Sequence, residues 1–261
     1  MAKIHPTAVV DPKAQLADDV EVGPMCYVGP DVKIGAGTRL IAQCHVSGYT
    51  TIGEGNMIYP FAVIGTNAED YAFAGGKCSV RIGNKCIFRE NVTINAGTKD
   101  GTETVVGNNV FLMANAHIAH NCIVHDGAIM VCGSMLAGYV EVGERAFISG
   151  LSAVHQFCRI GRLAIISGGS VFSKDIPPFM MAEGRNGGVK MVNVVGLRRA
   201  GFSVATIRVI QDLYKIVFRS GLNLTKAYEK CRSDLPQIPE VLEFLEFAEN
   251  SKRGILTNRE D

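Results

Sequence analysis

Two histidines, His117 and His120, bracket Ile118 and Ala119 in the segment Asn115-Ala-His-Ile-Ala-His-Asn-Cys122. Imidazole titrates close to neutral pH, so a histidine held against a hydroxyl can take its proton, and one held against a metal can ligate it. Residues for either chemistry are present, because His125 follows His120 at His-x4-His spacing and His155 stands beside Gln156. An isolated surface histidine is usually only solvated, which is the reading for His5 and His125. Position within a repeat sets His120 and His155 apart from them.

Ile118 is one tooth of a six-residue apolar comb. Ile4, Val10, Leu16 and their successors step by six as far as Ile64; the step returns in phase at Ile82, Phe88 and Ile94, and again from Val106 through Ile118, Leu136 and Val154 to Phe172. Only Asp70, Gly76 and Asp100 in that register are not apolar. Helical and strand periods do not sustain a six-residue step, whereas short strands joined by turns do. Hexapeptide repeats predict a β-solenoid, a parallel β-helix whose teeth are buried only by stacking one coil on the next. Three hexads per triangular coil, each coil rising about 4.8 Å, give about ten coils. The in-phase interruptions predict two loops extruded from intact coils, at about 66–80 and 98–104. The solenoid is expected over residues 1–188, ending after Pro177-Pro178, and a C-terminal α-helical domain over 189–261. There Ser203 is the expected N-cap of a helix presenting Ile207, Ile210, Leu213 and Val217, with further starts at Thr225 and Pro239.

Counting teeth by threes puts Ile118, Leu136 and Val154 on one side of consecutive coils. His120, Gly138 and Gln156 then stack two residues after the teeth, and Ala119, Ala137 and His155 one residue after. The same count places Asp100 and its loop one coil before His120. The stack offers a base, a glycine whose backbone a ligand can approach, and further polar groups beside a protruding loop.

Composition limits the alternatives. A 261-residue chain with 47% hydrophobic residues and a formal charge of +1 is neither disordered nor drawn as a whole to nucleic acid. No apolar run is long enough for stable membrane insertion. The comb starts at Ile4, leaving no room for a leader ahead of it, so a cytoplasmic location is expected. Cys26, Cys44, Cys86, Cys122 and Cys158 share a slot two residues before a tooth that alanine, serine or threonine fills elsewhere, so they read as small hydrophobes. Between Arg198 and Arg232, eight basic residues face only Asp212 and Glu229, a local surface suited to an acidic protein partner.

The segment 115–122, with Leu136-Ala-Gly-Tyr-Val140, Ala153-Val-His-Gln-Phe-Cys-Arg-Ile-Gly161, Asp175-Ile-Pro-Pro-Phe179 and Gly196-Leu-Arg-Arg-Ala-Gly-Phe-Ser203, closely resembles the acyl-carrier-protein:UDP-N-acetylglucosamine O-acyltransferases of lipid A biosynthesis. The resemblance covers almost the whole chain. It implies a left-handed β-helix, a homotrimer with active sites between subunits, and no metal or other cofactor. The implied reaction moves a 3-hydroxyacyl chain from acyl carrier protein to the 3-hydroxyl of UDP-N-acetylglucosamine, the first step of lipid A biosynthesis. By position, His120 matches the general base and Gly138 the backbone donor to the oxyanion. Asp70, His117, His155, Gln156, Asn193 and Arg199 match substrate-contacting positions, and Gly168 the position that limits acyl length.

Four departures stand against that pattern. Ala72 occupies a position where the family usually has lysine, Asn95 and Tyr139 positions where it usually has histidine, and Arg185-Asn186 replaces an Asn-Pro pair. Asn95 and Tyr139 still belong to the implied sugar-nucleotide site. The changes bear on the sugar more than on the transfer, and leave open a 3-amino UDP-sugar acceptor or a non-catalytic sugar-nucleotide-binding relative. A metalloenzyme like the γ-carbonic anhydrases would use the His-x4-His spacing, but its third histidine is missing because position 84 is Asn.

Overall fold

The computed structural model describes residues 1–184 and 187–257, so the departure at Arg185-Asn186 lies outside the described residues. Short strands from β1 (Lys3–Ile4) to β26 (Val171–Phe172) pass in rotation through three parallel sheets, forming the expected β-helix. From Val22 to Phe172 the apolar teeth are buried, while Ile4 in the open first coil stays exposed. Ile118, Leu136 and Val154 are at most 1% exposed, and burial of such a side chain contributes roughly 1.5–3 kcal/mol. Backbone bonds such as His117 N–H to Ser134 O (2.9 Å) and Ala119 N–H to Leu136 O (3.0 Å) tie each coil to the next. The five slot cysteines are buried inside the coils as free thiols.

The outer turns that follow and precede these strands repeatedly place a residue in the left-handed region. Asn121, Tyr139 and Phe157 have φ of 59°, 61° and 66°, but so do residues far from them, such as Met25 and Leu163 at 55° each. Coil geometry therefore imposes this conformation. It is not a signature of the site.

The comb ends at Phe172, yet the solenoid continues for one more level on its first face. After Pro177-Pro178 the strand β27 (Met180–Glu183) pairs in parallel with β25 (Ile165–Ile166), and β28 (Gly188–Val192) folds back antiparallel along it. The prolines interrupt the hexad pattern but not the stacking. Four helices follow: α1 (Val194–Arg199), α2 (Val204–Arg219), α3 (Leu224–Asp234) and α4 (Pro239–Glu249). Ser203 caps α2, whose buried face is the expected Ile207, Ile210, Leu213 and Val217. The third helix starts earlier than Thr225, because the Asn223 side chain supplies the cap. Buried Asp175 fastens the final segment to the solenoid: its carboxylate accepts from Arg159 N–H (2.8 Å), Arg159 Nε (3.1 Å) and Ser251 Oγ (2.7 Å). Among the described residues no helix is long and apolar enough to cross a membrane.

Candidate active site

Strands β17 (His117–Ile118), β20 (Met135–Leu136) and β23 (Ala153–Val154) are successive rungs of the second sheet, with Ile118 opposite Leu136 and Leu136 opposite Val154. His120 and Gly138 therefore occupy equivalent turns one coil apart. They touch. A Cβ built on Gly138 would lie 2.2 Å from Cε1, 2.5 Å from Nε2 and 2.9 Å from Nδ1 of His120, so the imidazole lies over the space that glycine leaves. Among the described residues the Gly138 N–H donates to no protein group, although its carbonyl accepts from Phe157. An unengaged donor beside an imidazole is the pairing that acyl transfer uses.

His120 is only 5% exposed, and oxygen faces both of its nitrogens. Nδ1 is 3.1 Å from Asn121 Oδ1, and Nε2 is 3.5 Å from Asp70 Oδ2. Asp70 reaches it from the first extruded loop, held by the Ala72 N–H on its other oxygen at 2.8 Å. The Tyr139 ring meets His120 edge-on at 5.3 Å and stacks on Phe157 at 4.9 Å, walling the site toward the next coil. His117 bonds Thr93 Oγ1 through Nδ1 at 2.7 Å. Burial lowers its pKa; the Glu69 carboxylate opposes this and the His120 ring adds to it.

The residue one coil before Ile118 is not Asp100. Ile94 pairs with Ile118, and Asp100 lies in the second loop, where it accepts from the Lys77 N–H at 2.7 Å and braces the two loops together. The loop itself does reach the site, through Thr98. Asn95 is 2% exposed; its Nδ2 bonds Asn67 O at 3.1 Å and Thr66 Oγ1 at 3.3 Å, and its Oδ1 is the one buried side-chain polar atom without a partner among the described residues. His155 is exposed, with Nδ1 3.1 Å from Gln156 O and 3.4 Å from Arg253 Nη2, so the final segment also borders this side.

The remaining positions separate from this group. Asn193 is buried at 4%, its amide consumed by Leu163 O (2.8 Å) and the Gly196 N–H (2.9 Å). It caps α1, so its side-chain amide is engaged in the fold. Arg199 and Gly168 are exposed, and among the described residues no hydrogen bond or ring contact joins either to His120. His125 lies beyond the next strand, 3.0 Å from Glu141, and shares no partner with His120. The His-x4-His spacing thus does not assemble a common site. Asn121 and Thr98 were not singled out from the sequence, because an asparagine at a left-handed corner has a sufficient structural reason to be there.

A parallel hexapeptide β-helix with a histidine packed against a glycine whose N–H is unengaged has the build of the hexapeptide-repeat acyltransferases. Residues 103–138 match the bacterial transferase hexapeptide (six repeats) family, and residues 175–256 match UDP N-acetylglucosamine O-acyltransferase, domain 2. The acyl-[acyl-carrier-protein]–UDP-N-acetylglucosamine O-acyltransferase of Thermodesulfovibrio yellowstonii is 46% identical over 256 residues, 98% of this chain and 99% of the relative. The UDP-N-acetylglucosamine acyltransferase structure from Bacteroides fragilis superposes with a TM-score of 0.94 at 40% identity, covering 97% of this chain and 99% of that one. The Acinetobacter baumannii structure gives 0.93 at 39%, with 97% and 98% covered. The chain belongs to the UDP-N-acetylglucosamine O-acyltransferase family.

Proposed function

We propose that the protein transfers a 3-hydroxyacyl chain from acyl carrier protein to the 3-hydroxyl of UDP-N-acetylglucosamine, in the cytoplasm, as the first step of lipid A biosynthesis. His120 is the general base. Its Nε2 takes the hydroxyl proton as the sugar oxygen attacks the thioester carbonyl, and the Gly138 N–H receives the oxyanion that forms. Collapse of the tetrahedral intermediate breaks the carbon–sulfur bond, and the imidazolium returns its proton to the departing thiolate. Asp70, 3.5 Å from Nε2, faces the charge while it exists. The observation that carries this reading is the His120 ring lying over Gly138, whose N–H is unengaged.

Asp70, Asn95, His117, Tyr139, His155 and Gln156 are assigned to the sugar-nucleotide and acyl contacts around that pair. A homotrimer is supported by the apolar outer face of the second sheet and its corner, where Val9, Met25, Phe61, Met135, Leu151 and Val171 are 48–75% exposed. Arg199 then serves the diphosphate in a site of an adjoining subunit.

Mass spectrometry of products from 3-hydroxyacyl carrier proteins offered with UDP-N-acetylglucosamine and its 3-amino analogue tests the acceptor. The expected product is an alkali-labile ester of the ordinary sugar. A preference for the amino sugar above ~10-fold, or about 1.4 kcal/mol of discrimination, would contradict it.

Gly168 has an ordinary backbone, and a Cβ there would meet only Gly150 O at 3.2 Å within close range. Gly168→Met is therefore expected to fold and to shift donor preference toward shorter acyl chains; unchanged chain-length selectivity would place the end of the groove elsewhere. Acyl carrier protein is expected to dock on the helices. Arg208, Lys215 and Arg219 are exposed along α2, although Lys215 already pairs with Asp212 at 2.8 Å. Reversing all three charges should raise the KM for the carrier about tenfold and flatten its salt dependence. A carrier KM that stays the same in both respects would move the docking surface off α2.

A further inference from the structure

The second extruded loop grips one residue at two points. Thr104 Oγ1 accepts the Asn121 N–H at 2.8 Å, and at the loop's other end Asn121 Oδ1 accepts from Thr98 N–H (3.1 Å) and Thr98 Oγ1 (3.0 Å). A backbone N–H only donates, so the amide atom facing Thr98 is the oxygen, and the side chain is held against flipping. That same oxygen lies 3.1 Å from His120 Nδ1. An acceptor there requires the proton on Nδ1, and a neutral imidazole has only one ring N–H. Nε2 is then bare.

Without the loop the balance would reverse. Asp70 Oδ2, 3.5 Å from Nε2, is also an acceptor, and a carboxylate attracts an N–H more strongly than an amide oxygen does. Left to Asp70 alone, the ring would favour the tautomer with its proton on Nε2, which is useless as a base. Distance decides between them: Asn121 is within good hydrogen-bond range and Asp70 is at its outer limit. The chain extends one group further. Thr98 is 2% exposed, and because its hydroxyl donates to Asn121 it accepts from the Tyr139 phenol at 3.0 Å. Tyr139 thus connects the coil above to the loop where the family usually has a histidine.

We propose that the second loop is a tautomer clamp, in which Thr98, seconded by Tyr139, is a positioning residue that holds the Asn121 oxygen on Nδ1 and keeps Nε2 of His120 free. The inference rests on His120 being the base. Thr98→Val removes the hydroxyl, keeps the backbone N–H and preserves shape; Thr98→Ser restores the hydroxyl. Both are compared with the wild type and His120→Ala in the full chain, by steady-state kinetics and by the ¹⁵N imidazole spectrum. With six histidines in the chain, His120 is assigned by the signal lost in its alanine variant.

The clamp predicts that Thr98→Val lowers kcat about tenfold with KM within about twofold, that the His120 signal moves from a pure Nδ1–H form to a mixture, and that serine reverses both. Unchanged kcat in Thr98→Val, with His120→Ala inactive, would overturn the clamp while leaving the base in place. A fall in kcat with the tautomer unaltered would also overturn it, reducing Thr98 to a packing contact. Wild-type rates in His120→Ala would instead remove the base itself.

Discussion

His120→Ala is expected to fold as the wild type does and to lose at least ~10²-fold in kcat, the usual scale of general-base help. The fold survives because His120 lies in an outer turn: the tooth of its coil is Ile118, fully buried, and the rung bonds run through His117 and Ala119. Turnover of acyl carrier protein thioester with UDP-N-acetylglucosamine gives the rate, and circular dichroism of the same sample checks the fold. A folded variant turning over at the wild-type rate would take proton transfer away from this residue.

Gly138→Ala is expected to cost about as much, ~10²- to 10³-fold. Its φ lies outside the left-handed region, so the backbone accepts alanine; the difficulty is the imidazole, 2.2 Å from the added methyl at Cε1. The ring has to leave its position, which takes Nε2 away from the place proposed for the hydroxyl and crowds the N–H proposed to receive the oxyanion. Because much of the damage passes through His120, the double variant His120→Ala/Gly138→Ala should be far less impaired than the product of the two single losses. Multiplicative losses would mean that Gly138 acts independently of the ring, and a fully active Gly138→Ala would exclude it from the site.

The comb made the solenoid legible because every coil repeats the same requirement, an inward apolar residue at each sixth position. It also revealed that His120 and Gly138 are neighbours, since no insertion falls between Ile118 and Leu136. The misplacement of Asp100 has a physical origin in the same rule. The steps from Ile64 to Ile82 and from Ile94 to Val106 each cross a loop whose length keeps the six-residue phase, so counting alone does not distinguish a hexad in a coil from one in a loop. Pairing does, and it sets Ile94 against Ile118.

The groups that dress the histidine were hidden for a different reason. Thr98 meets Asn121 across 23 positions, and Asp70, named from the resemblance only as a substrate contact, meets His120 from the other loop, by contacts that leave no period in the sequence. Asn193 has a task the sequence left unread: its position matches a substrate contact by resemblance, and its amide also caps the start of α1.

The most direct test of the account is the pH dependence of kcat/KM for acyl transfer to UDP-N-acetylglucosamine, measured for the wild type and His120→Ala on the same carrier-protein donor. General-base catalysis by His120 predicts an acid limb in the wild type as the base becomes protonated, and in the variant a residual rate at least ~10²-fold lower from which that limb has gone. An identical acid limb in the variant, at a comparable rate, would contradict it.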